Sequence, residues 1–116
     1  MEQERDRETI GLTPETQRIL ADIESRGWFL EGQDIARFGL AYAIRAKVQA
    51  GATSGTETRW AAGNFDKTGE IRALLGALFP TWPTPVRLME HLVNEGLRLL
   101  DARIQSDAVG PADLLD

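Results

Sequence analysis

Over residues 34–48 the apolar positions run almost all the way round a helix: Ile35, Phe38, Leu40, Ala41, Tyr42, Ile44 and Val48 leave only a narrow polar strip at Arg37, Arg45 and Lys47. A surface helix keeps about half its circumference polar, so this segment, expected as a helix over 33–49, needs cover on most sides. Gly39 in its interior costs about 1 kcal/mol relative to alanine, which predicts a second backbone passing close by.

The flanking patterns are simpler. Residues 7–12 alternate, with Ile10 and Leu12 on one side and Arg7, Thr9 and Gly11 on the other, as in a short half-buried strand. Thr13-Pro14 opens a helix, since the threonine hydroxyl accepts from a free amide and proline at the first position gives up an N–H that had no partner. Its narrow stripe of Ile19, Leu20 and Ile23 ends at Gly27, and Trp28-Phe29-Leu30 is expected to fold back onto it. Residues 50–59 are small, polar and glycine-rich and read as a mobile loop, with Trp60 and Phe65 beyond it at least partly buried. Asp66 or Thr68 should cap a third helix, in which Ile71, Leu74, Leu75, Leu78 and Phe79 share one packed face. Thr84-Pro85 repeats the opening signal. The helix of about twenty residues that follows has Met89, Leu92, Val93, Gly96, Leu97, Leu100 and Ile104 inward and Arg87, Glu90, Asn94, Arg98 and Asp101 outward. The sum is a mainly α, compact four-helix domain over 9–105, with flexible tails at 1–8 and 106–116.

Composition sets limits on function. At 116 residues the chain is one domain's worth of core, and no apolar run approaches a membrane span. The absence of cysteine removes disulfides, thiolate metal sites and cysteine catalysis. The charged start has no apolar stretch behind it, so no secretory signal is expected and the location expected is cytoplasmic. The net charge of −5 is uneven: residues 1–34 contribute −5, 35–59 contribute +3 and 60–116 contribute −3. An acidic chain is a poor general polyanion binder, although one basic face can outweigh the total.

No set of catalytic groups can be assembled, so the chain reads as non-enzymatic, with no cofactor and no metal. Asp66-Lys67-Thr68-Gly69 looks like the aspartyl-phosphate motif of P-type pumps, but the buried strand that precedes that motif is missing, and a helix cap accounts for the residues. His91, the only histidine, lacks an orienting partner in sequence and a second metal ligand at a useful spacing, and reads as a solvated or interface side chain. Gly51 and Gly55 lack the lysine and the strand of a phosphate loop. Arg37, Arg45, Lys47 and Arg59, with Trp60 beside them, form the one basic cluster. They either contact phosphates, with the tryptophan stacking on a base, or form the solvated strip of a buried helix facing the acidic N-terminal segment.

The order of elements from Thr9 to Val48, a short alternating strand, a helix opened by Thr13-Pro14-Glu15, a turn ending near Gly32 and a mostly buried helix, resembles the ribbon-helix-helix family. The resemblance implies strands paired across a dimer into a ribbon that enters the DNA major groove, with Arg7, Thr9 and Gly11 outward and Gly32-Gln33 near phosphate. Two extra helices follow here, and the chain is more loosely similar to the DndE family of DNA sulfur-modification accessory proteins. The function expected is a self-associating accessory protein acting on or near DNA, as in a bacterial antiviral defence or DNA-modification system. The alternative is a protein-protein adaptor subunit, docking a larger protein partner without nucleic-acid contact. Nucleic acid is expected to meet Arg7, Thr9, Arg37, Arg45, Lys47, Arg59 and Trp60, and a homo-oligomer interface to use Phe38, Gly39 and Tyr42.

Overall fold

The computed structural model describes residues 5–107, in the order β1 (Thr9–Leu12), α1 (Pro14–Ser25), α2 (Gly32–Arg45), β2 (Glu57–Ala61), α3 (Ala62–Phe65), α4 (Glu70–Leu78) and α5 (Pro85–Asp107). The fold is mainly helical, with a small two-stranded antiparallel sheet. Among the described residues there are five helices where four were expected, the addition being the single turn α3.

The local signals explain most boundaries. Thr13 is extended and its hydroxyl accepts the Thr16 amide at 3.1 Å, with Pro14 opening α1 as expected. Gly27, at φ 73°, supplies the left-handed residue that turns the chain out of α1. Beyond it Trp28 and Phe29 pack against the core, while Leu30 stays 97% exposed. At the head of α2, which starts one residue earlier than expected, Glu31 and Asp34 form a reciprocal capping box.

The 23-residue α5, about 35 Å long at 1.5 Å per residue, is the axis of the core. Leu88, Met89, Leu92, Val93, Leu97 and Leu100 are fully buried against Ile10, Leu20, Ile23, Ile35 and Leu40 from the other elements. The close backbone expected at Gly39 is Gly96 of α5: a Cβ built on Gly96 would lie 1.8 Å from the Gly39 carbonyl oxygen. Helix α2 is less enclosed than its pattern demanded. Ile35, Ala36, Leu40 and Ala43 are buried, whereas Phe38, Tyr42 and Ile44 are half-buried and Ala41 is exposed.

The second half of the expected loop is a strand. Glu57–Ala61 pairs with β1, placing Thr9 opposite Ala61, Ile10 opposite Trp60, Gly11 opposite Thr58 and Leu12 opposite Glu57, with Arg59 as the extra residue of a bulge. Residues 5–8 are also tied down: both Asp6 oxygens accept the first amides of α5, from Val86 and Arg87, at 2.9 Å each. The helix opens at Pro85 as the sequence predicted, but this carboxylate from 80 residues upstream satisfies its first free amides. At the far end α5 includes Ser106 and Asp107, and the rest of the expected C-terminal tail lies outside the described residues.

Candidate functional site

Glu90 and Asn94, expected on the outer side of α5, are 1% and 0% exposed. The reason is the free edge of β1. Glu90 Oε2 accepts the Gly11 amide at 2.8 Å, Asn94 Nδ2 donates to the Gly11 carbonyl at 3.1 Å, and Asn94 Oδ1 accepts the Thr13 amide at 3.1 Å. Two side chains of α5 thus stand where another strand's backbone would, and β2 takes the other edge. Buried Glu90 is paired with Arg7, whose Nη1 lies 2.6 Å from Oε2. The Thr16 hydroxyl completes the cluster at 2.5 Å from Asn94 Oδ1.

Of the expected basic cluster, Arg37, Trp60 and Arg59 meet around Phe65, while Arg45 and Lys47 lie at the other end of α2. Arg7 turns inward to Glu90 rather than outward from the strand, and the Thr9 hydroxyl meets that of Thr58 at 3.3 Å. Arg37 bonds Asp34, Gln33 and the Phe65 carbonyl and lies over the Phe65 ring. Arg59 reaches Glu24 of α1 at 3.8 Å and covers Trp60, whose ring meets that of Phe65 at a tilt of 36° with centroids 5.8 Å apart. Arg45 and Lys47 are exposed at the C-terminal end of α2, about two helical turns from Arg37. Three of the expected cations are therefore set against carboxylates on three different elements. Of the expected interface residues, Gly39 is occupied by α5 of the same chain, and Phe38 packs its ring 5.4 Å from Phe29.

Asp66 is a cap. Its carboxylate accepts the amides of Ile71 and Arg72 at 3.0 and 3.1 Å and the Arg72 guanidinium at 3.0 Å. Burial pushes the carboxyl pKa up, but the two amides and the Arg72 guanidinium outweigh it and hold the group below its ordinary value. Among the described residues no group of three His, Asp or Glu side chains could hold a metal ion, and no helix is long and apolar enough to cross a membrane. A cleft of about 460 Å³ between α1 and α5 is lined by charges of both signs, with Arg98 bridging Glu15 and Glu95.

The unexpected surface is α4. Its pattern predicted one packed face, yet of its nine residues only Leu75 is fully buried, and Leu74 and Leu78 are 46% and 48% exposed. Ala73, Gly76 and Ala77 are exposed as well, and a Cβ on Gly76 would meet nothing within 4 Å. From Ala73 through Pro83 the only side chains with a polar atom are Thr81 and Trp82. A surface helix ordinarily turns charges outward, and the outer face of α4 after Arg72 carries none. The sequence contained the signal, because residues 73–78 hold no charge on any side, but amphipathic spacing directed attention to the inner face. The fold and this face stand without a relative to compare: no protein-family model, curated protein or solved structure matches the chain.

Proposed function

We propose that the protein is a non-enzymatic adaptor that self-associates through α4. The observation that supports this reading is the half-exposed Leu74 and Leu78 on a helix whose outer face carries no charge after Arg72. A second copy is the occupant the charges favour. The chain has a net charge of −5, and this uncharged face is where two copies meet without opposing like charges. Small residues at 73, 76 and 77 let two helices approach closely, in the range of about 8–10 Å between axes. Adding a copy to the sheet would use the outer edge of β2, where the Arg59 bulge and the charges of Glu57 and Arg59 blunt strand addition.

Sedimentation tests this. The wild type should form a dimer at about tens of micromolar, the affinity range of a small interface. Leu74→Asp with Leu78→Asp should leave a folded monomer, destabilised by about 1.5–3 kcal/mol for the buried half of the two side chains. A wild type that stays monomeric, or a double variant that still dimerises, overturns the reading.

A second reading keeps DNA as the partner of the assembled form, in keeping with the ribbon-helix-helix resemblance and an accessory role in DNA defence or modification. It is favoured by the exposure of Arg45 and Lys47, which a dimer would present twice. A mobility shift of duplex DNA at low salt, lost on replacing both by alanine, is its test.

A further inference from the structure

Helix α2 carries a second uncovered face, turned away from α4. Arg37 reaches the Phe65 carbonyl at 3.0 Å, beside the start of α4, and Phe38 lies about 100° further round the helix. There Phe38 and Tyr42 are half-buried, Ala41 is exposed, and Leu30, in the turn that leads into the helix, is 97% exposed. We propose that this face of α2 binds the same face of a second copy of the chain, with the two helices antiparallel across a two-fold axis.

The charges select a copy as the occupant. Asp34, Phe38, Ala41 and Arg45 follow one another at spacings of four, three and four residues, so they form one stripe of the helix with an acidic end, an apolar centre and a basic end. Exposed Glu31 extends the acidic end and exposed Lys47 the basic end. A helix laid antiparallel on this stripe has to offer the opposite polarity, and α2 itself, turned about a two-fold axis, does so along its whole length. With Phe38 set opposite Ala41, residues 30–34 fall opposite 45–49, and the two helix dipoles oppose favourably. Asp34 already holds Arg37 at 3.3 Å, so the pair that fixes the register is Glu31 with Lys47, made twice by symmetry. Among the described residues Glu31 accepts a backbone amide and is in no ion pair, and neither is Lys47.

The backbone at Lys47 is a second, separate observation. Among the described residues it is the one non-glycine residue at positive φ, 62°, just past the end of α2, where glycine is least strained. A lysine kept there against that strain points to a contact made by its side chain outside its own chain. The exposed apolar area is small, so one such contact is weak, with a dissociation constant of about 1 mM, and is nearly empty at about tens of micromolar. Dimers joined through α4 carry the face twice, and it links them into larger assemblies.

The experiment uses the chain with Leu74→Asp and Leu78→Asp, which lacks the α4 contact, so that the result does not depend on the α4 dimer. Its backbone amides are followed by NMR from about 0.05 to about 2 mM at low salt. Concentration-dependent shifts confined to residues 30–49 are expected, fitting a dimerisation constant of about 1 mM and diminished by added salt. Leu30→Ser, at a side chain already in water, should weaken this association about fivefold without moving the melting temperature. Lys47→Gly should raise the melting temperature by relieving the left-handed backbone and yet weaken association about threefold, which a purely structural lysine would not do. Lys47→Glu sets like charges opposite each other and should weaken it further. In the wild type, sedimentation at about 1 mM should show species larger than those at about tens of micromolar, lost in Leu30→Ser. Shifts that do not change with concentration, shifts centred outside residues 30–49, or association undiminished by Leu30→Ser or Lys47→Glu overturns the proposal.

Discussion

Asp66 was legible as a cap because a short acidic side chain before an amphipathic run is what free amides require. Its full geometry was not. Both carboxylate oxygens accept, one from Ile71 and the other from Arg72 twice, so an asparagine would turn an N–H₂ toward a donor. Asp66→Ala should cost about 0.5–2 kcal/mol at neutral pH, and Asp66→Asn should recover only part of it. Because the folded pKa is depressed, the unfolded state takes up the proton more readily. The contribution is therefore complete above the ordinary carboxyl value of 3.8 and is lost as pH falls through the lower folded value. Thermal melts of wild type and Asp66→Ala should accordingly converge below about pH 4. Glu90 and Asn94 show the opposite case. Periodicity assigned them to water, since a helical wheel cannot register a strand edge about 80 residues away in sequence whose amide and carbonyl need partners.

Among the elements, α1 and the opening of α5 were read correctly from threonine-proline pairs, because those signals are local. The expected close approach at Gly39 was also met. Its partner is Gly96, and the two glycines are not equivalent. A Cβ on Gly96 would enter the Gly39 carbonyl, whereas one on Gly39 would rest 3.4 Å from Leu97 Cδ2, an ordinary contact. Gly96→Ala should thus destabilise by about 3 kcal/mol or more through forced separation of α2 and α5. Gly39→Ala should be neutral or stabilising by up to about 1 kcal/mol from helix propensity. Denaturant titration of the two variants checks the ordering, and equal losses would mean the helices cross differently. Strand β2 and the exposure of α4 were not legible, for a shared reason. Glu57, Thr58 and Arg59 are polar in every direction, and apolar spacing on α4 says which side chains align without saying what covers them.

Across the whole molecule, the expected flexible start is a clasp on the last helix. Arg7→Ala should leave the Glu90 carboxylate buried without its cation. The expected loss is on the order of 2 kcal/mol, less than the 3–5 of a fully enclosed pair because Arg7 is partly in water. Glu90→Gln in the same background should restore part of that loss in denaturant melts, since the uncompensated charge is then gone. The same clasp governs how the chain comes off the ribosome. Synthesis proceeds from the N-terminus, yet β1 depends on Glu90 and Asn94, and Leu20, Ile23, Ile35 and Leu40 are buried in one core with α5. While the segments before α5 emerge, their apolar residues have no α5 to cover them, and closure waits on contacts about 80 residues apart in sequence. The apolar residues of the first elements therefore stay uncovered until translation has passed α5.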